Sequence, residues 1–142
     1  MAADSAAILL LDTSAAVALI VEDHEAHAIV RSAVQGRRLG LAGHAWFETY
    51  SVLTRLPGPI RRSPADVARL LAHNFPETVF LGAEASAALG PELAAAQIAG
   101  GSVYDALVAA AARTHDLPLL TGDARARATY EAIGVRVEPV RG

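Results

Sequence analysis

Short apolar runs closed by polar or turn-forming residues alternate along this chain with longer stretches whose apolar positions recur at helical spacing. The run Ile8-Leu9-Leu10-Leu11 reads as a buried strand over 8–12 that ends on Asp12 and leads at once into helices near 14–20 and 24–35. An extended segment, Arg38-Leu39-Gly40-Leu41-Ala42, precedes a helix over about 44–56 that Pro57-Gly58-Pro59 stops. Ser63-Pro64 opens the next helix, with Ser as cap and Pro at the first helical position. Thr78-Val79-Phe80-Leu81 predicts a strand, and one or two alanine-rich helices follow, broken around Gly90-Pro91. Gly100-Gly101 introduces a helix over 103–115, Pro118-Leu119-Leu120-Thr121 a strand, and 124–132 a helix stopped by Gly134. The strand Val135-Arg136-Val137-Glu138 closes the series. Strands separated by helices pair in parallel, so the expected body is a three-layer α/β/α sandwich around a small, mainly parallel sheet of four or five strands.

Composition narrows the chemistry. A length of 142 residues suits one domain spanning 1–142, and a 53% apolar content with 19% charged residues suits a folded core. Alanine supplies 32 positions, which favours helix. Without cysteine there is neither a disulfide framework nor a thiolate metal site, and a cytoplasmic location is expected. All 12 basic residues are arginine, which removes Walker-type phosphate binding and lysine Schiff-base chemistry. The apolar stretch 6–21 is interrupted by Asp12 and preceded by Asp4 with no basic side chain, so it is expected to be a buried strand and helix and not a leader or membrane span. A net charge of −3 offers no broad electrostatic grip on nucleic acid.

Four acids then draw attention. Asp12 and Asp123 both lie just past a predicted strand, where open α/β sheets gather their ligands. Asp105 opens a helix whose continuation, Ala106 to Ala112, carries no polar residue and should be buried almost all round. Glu48 shares a helical stripe with His44, Ser51 and Arg55. Each acid has a structural alternative. Asp12 and Asp123 suit helix N-caps, Ser102-Val103-Tyr104-Asp105 has capping-box spacing, and Glu48 suits a solvated face. Gathered in one cleft, however, such acids repel one another unless a cation or a proton intervenes, and an all-oxygen donor set favours Mg²⁺ or Mn²⁺ over zinc.

The spans Ile8-Leu9-Leu10-Leu11-Asp12-Thr13-Ser14, the helix bearing Glu48, Val103-Tyr104-Asp105-Ala106 and Leu119-Leu120-Thr121-Gly122-Asp123 resemble the four acidic motifs of PIN-domain nucleases, most closely the toxin halves of VapBC-type toxin–antitoxin pairs. The resemblance runs in order and spacing through the terminal helix Thr129-Tyr130-Glu131-Ala132-Ile133-Gly134 and the strand after it. It implies an Mg²⁺-dependent endoribonuclease, with Mn²⁺ able to substitute, acting on tRNA or rRNA and leaving 5′-phosphate and 3′-hydroxyl ends. By that resemblance Asp12 and Asp105 anchor the metal, Asp123 and Glu48 complete its shell directly or through water, and one of the carboxylates accepts the water's proton. It also implies a cognate antitoxin that obstructs the cleft, and a toxin homodimer.

Several other residues and readings bear on this expectation. Thr13, Ser14 and Thr121 are placed to hydrogen-bond the carboxylates or metal waters, although threonine beside a strand is commonly structural. Trp46, Phe47 and Tyr50 read as core or as an interface, and Arg61-Arg62 as solvated loop or phosphate contact. His24, His27, His44, His73 and His115 are expected at the surface, which argues against metal-free acid–base cleavage. A dehalogenase-like phosphatase needs a second Asp where Ser14 stands, a response-regulator receiver needs a lysine, and a Rossmann domain needs a glycine loop after the first strand. The rival from another class is a catalytically silent PIN-like module that binds RNA or protein.

Overall fold

The computed structural model describes residues 7–140. Four strands, β1 (Ile8–Leu11), β2 (Arg38–Leu41), β3 (Leu119–Thr121) and β4 (Val137–Pro139), form a sheet in the order β2-β1-β3-β4. All pairings are parallel, with Leu9 opposite Leu39, Leu10 opposite Leu119 and Leu120 opposite Glu138. Seven α-helices cover its faces: α1 (Thr13–Ile20), α2 (His27–Ala33), α3 (His44–Thr54), α4 (Pro64–Asn74), α5 (Ala83–Ala95), α6 (Ser102–Thr114) and α7 (Arg127–Ile133). A single 3₁₀ turn, Gly58–Ile60, joins α3 to α4.

Strand alternation divides the core. Leu9, Leu11 and Leu120 point to one face, where Ala15, Val30, Leu53, Val67 and Leu71 of the first four helices meet them. Leu10 and Leu119 point to the other, against Leu89, Ala109, Ala112, Tyr130 and Ile133. Because period-2 side chains of fully buried strands must be apolar on both sides, the unbroken leucine run of β1 belongs in the centre of a parallel sheet. Helix α6 is buried at Ala106 and at 108–112, as its lack of polar residues predicts.

Three local expectations are corrected. The strand over 78–81 is present only as an isolated parallel bridge between Ala42 and Val79. The Leu41 N–H donates to the Thr78 hydroxyl at 3.0 Å where a backbone carbonyl would extend the ladder, and Phe80 turns outward. Gly90-Pro91 does not break α5. Gly90 has no Cβ to clash with the proline ring, and the face is exposed enough for water to take up the freed carbonyl. Buried Leu89 and a bidentate Glu92–Arg113 pair at 2.5 and 3.0 Å hold the helix on either side of the proline. The last helix starts at Arg127 and not 124, because Asp123 folds residues 123–126 into a turn through the N–H groups of Arg125 and Ala126. Ser63 and Pro64 open α4 as predicted, and Gly134 ends α7 at φ 91°.

Candidate active site

The sheet order reverses between β1 and β3, and beyond the carboxyl ends of those neighbouring strands stand Asp12 and Asp123. Helices α3 and α6 bring Glu48 and Asp105 to the same place. All four acids, with Thr13, Ser14, Val108 and Tyr130, line one cleft of about 260 Å³. Gly43 makes the approach of α3 possible: its φ of +53° suits glycine, and a Cβ there would lie 2.9 Å from the Cβ of Ala111 on α6.

Asp12 is only 3% exposed and does cap α1, its Oδ1 accepting from the Ala15 N–H at 3.0 Å. The same oxygen accepts from the Ser14 hydroxyl at 2.6 Å, and Oδ2 accepts from the Tyr130 hydroxyl at 2.8 Å. Three donors within hydrogen-bond distance occupy most of the roughly four acceptor positions of a carboxylate. Burial raises the Asp12 pKa above its ordinary value, and hydrogen bonding from Ser14, Thr121, Ala15 and Tyr130 only partly offsets it. Capping and membership of the cluster are thus compatible roles for one side chain.

Asp105 is half-buried and does not close the capping box with Ser102, since α6 has no side-chain cap. Its pKa is raised first by burial and then by the negative charges of Glu48, Asp123 and Asp12, against which Arg125 acts weakly in the opposite sense. Glu48 accepts from the Thr13 hydroxyl at 3.0 Å and lies 4.0 Å from His44 Nε2. The Asp123 N–H donates to the Thr121 hydroxyl at 3.0 Å, and its carboxylate lies 3.7 Å from the exposed Arg125. Thr13 and Ser14 therefore bond directly to the acids, and Thr121 holds Asp123 through its backbone while its hydroxyl also favours the charged form of Asp12.

Among the described residues no three Asp, Glu or His side chains are closed around a single point. The acids share a cleft without forming a preassembled cage. Tyr130 is the residue the sequence reading missed; a tyrosine on a helix otherwise facing the core, with a hydroxyl that needs a partner, was the signal. Burial and the neighbouring Asp12 hold its phenol far above its ordinary pKa, so it remains a donor. Of the histidines, His73 and His115 are exposed as expected, but His24 and His27 are part-buried against backbone and His44 is half-buried between Glu48 and Tyr104. Arg61 is tied to the Leu56 carbonyl at 2.8 Å, and Trp46 stacks on Tyr50 while Phe47 stays in solvent.

A family model for the PIN domain matches residues 9–132, the span that carries every one of these side chains. The chain belongs to the PIN-domain family. Curated relatives agree with that membership. Ribonuclease VapC27 of Mycobacterium tuberculosis (strain ATCC 25618 / H37Rv) is 50% identical over 129 residues, covering 91% of this chain and 94% of that protein. Ribonuclease VapC40 of Mycobacterium tuberculosis (strain CDC 1551 / Oshkosh) is 43% identical over 132 residues, covering 91% and 96%. Among solved structures, VapBC2 from Rickettsia felis bound to a DNA fragment from their promoter superposes with a TM-score of 0.65 at 14% identity, covering 93% of this chain and 98% of that one, and so shares the PIN fold. Among the described residues no helix is long and apolar enough to cross a membrane.

Proposed function

We propose that this PIN domain is a ribonuclease toxin that hydrolyses RNA phosphodiester bonds with the help of Mg²⁺ or Mn²⁺ and is held in check by a cognate antitoxin. The observation that carries the reading is the meeting of Asp12, Glu48, Asp105 and Asp123 in one cleft at the strand-order switch. Relatives of up to half-identical sequence that bear the name ribonuclease support it. The donor set suits a hard cation. It is all oxygen, one acid is almost wholly buried, and another carries its proton more readily because it is half-buried and its neighbours are negative.

Asp12 and Asp105 are the anchoring carboxylates in this reading, with Asp123 and Glu48 joining directly or through water. When bound, the cation supplies an activated water and neutralises charge on the scissile phosphate. The chain's own residues supply the rest. Tyr130, Ser14 and the Ala15 N–H fix the orientation of Asp12, and Thr13 fixes Glu48. One acid accepts a proton from the attacking water as its oxygen bonds to phosphorus and the bond to the 3′ oxygen breaks; that oxygen takes a proton from solvent water and leaves as a hydroxyl, and the phosphate stays on the 5′ end. tRNA or rRNA is the proposed substrate class, a homodimer the proposed assembly and the cytoplasm the proposed location. Antitoxin-free protein incubated with bacterial RNA in Mg²⁺ should give discrete fragments with 5′-phosphate ends. RNA that stays intact with either cation would count against catalysis and favour the silent binding module.

A further inference from the structure

A broken strip of aromatic rings, two pairs of them, stands on and beside α3 and α6, the helices that carry Glu48 and Asp105. Tyr104 immediately precedes Asp105 and is 51% exposed. His44, one helical turn before Glu48, stacks on it with ring centroids 5.1 Å apart and planes 23° from parallel. Phe47, next to Glu48, is 56% exposed, and its ring lies 6.0 Å from that of Phe80, itself half in water. Tyr104, Phe47 and Phe80, each about half in solvent, are not explained by core packing.

Resting on the ribonuclease reading above, we infer that this strip is a subsite for an unpaired nucleobase beside the scissile phosphate, with Tyr104 backed by His44 as its stacking platform. The charge balance requires a contribution of this kind. The chain carries a formal charge of −3, and the cleft itself is acidic, so Coulombic attraction cannot supply most of the affinity for a phosphate backbone. Stacking on an aromatic face is indifferent to that charge and tolerant of base identity. It also demands a base free of its own stack, which directs the site to loops, bulges and single strands in place of helical RNA. Placement agrees, because the platform is continuous in sequence with Asp105 and lies 4.0 Å from Glu48 through His44.

The test is fluorescence anisotropy with a labelled oligoadenylate and with the same strand in an oligoadenylate–oligouridylate duplex, in an Asp12→Asn background that silences cleavage. Tyr104→Ala should weaken single-strand binding about tenfold. Tyr104→Phe, which keeps the ring, should recover most of the loss, and duplex binding should be weaker and unmoved by either change. Equal single-strand affinity of the Tyr104→Ala variant and its parent overturns the inference. If sedimentation velocity then shows an altered assembly state, the strip is a protein interface instead. The two readings fail separately: a wild type that cleaves RNA with a KM unaffected by Tyr104→Ala loses only the platform. A wild type that never cleaves yet binds single strands through the ring loses only the nuclease.

Discussion

The phenolic hydroxyl of Tyr130 donates a 2.8 Å hydrogen bond to Oδ2 of Asp12 across 118 positions of sequence, joining the last helix to the first strand end inside the core. Removing that donor in Tyr130→Phe leaves a buried carboxylate with one partner fewer. The variant should lose about 1.5–3 kcal/mol in denaturant unfolding, the range for a hydrogen bond to a charged group. Its Mn²⁺ affinity should fall by roughly 10- to 100-fold, as happens when the partner that orients a metal ligand is lost. Unchanged Mn²⁺ binding in calorimetry would reduce Tyr130 to a core-filling ring.

Protonation gives a second expectation. The Asp12 and Asp105 pKa values are both raised in the folded protein above their ordinary value of 3.8. Between the ordinary and the raised value the folded state binds more protons than the unfolded one, so metal-free stability falls as pH rises through that window. Acidification from neutrality toward the window should therefore stabilise the cation-free protein before general acid unfolding sets in. Asp12→Asn removes the Asp12 share of this dependence, so in EDTA it should melt above wild type near about pH 7 and converge with it near about pH 4. Mg²⁺ should close the gap at neutral pH by stabilising only the wild type. Parallel melting curves at every pH would show that the Asp12 carboxylate is not destabilising.

Gly43 offers a third. In Gly43→Ala the new methyl meets the Ala111 side chain and the backbone keeps a left-handed conformation, so α3 must shift away from α6. The expected cost is on the order of 1–3 kcal/mol. Because α3 carries Glu48, any residual folded protein should bind Mn²⁺ more weakly. A variant as stable as wild type would mean that α3 has room to move.

Much of this arrangement is legible in one dimension because it rests on short-range rules. The leucine run of β1, the Ser63-Pro64 helix start, the Gly134 stop and the apolar shell of α6 are local patterns with local causes, and each appears where the pattern puts it. The four acids are legible as a set since three follow from their addresses at strand ends and at the first turn of a buried helix. What the sequence hides depends on partners far away. A threonine hydroxyl that takes the place of a ladder carbonyl dissolves the expected strand at 78–81, and a proline sits quietly in α5 because glycine precedes it and Arg113 braces Glu92. Tyr130 and the His44–Tyr104 stack are likewise invisible until the chain has folded, for their meaning lies in contacts between helices α1, α3, α6 and α7.

The most direct measurement of the central claim is end-mapped cleavage of total bacterial RNA by antitoxin-free protein, wild type beside Asp12→Asn, in Mg²⁺, Mn²⁺ and EDTA. The account predicts discrete fragments with 5′-phosphate ends from the wild type in either cation, none in EDTA, and a rate for Asp12→Asn reduced at least about a hundredfold, more than 2.7 kcal/mol of barrier. An Asp12→Asn variant that cut like wild type, or cutting that persisted undiminished in EDTA, would contradict it.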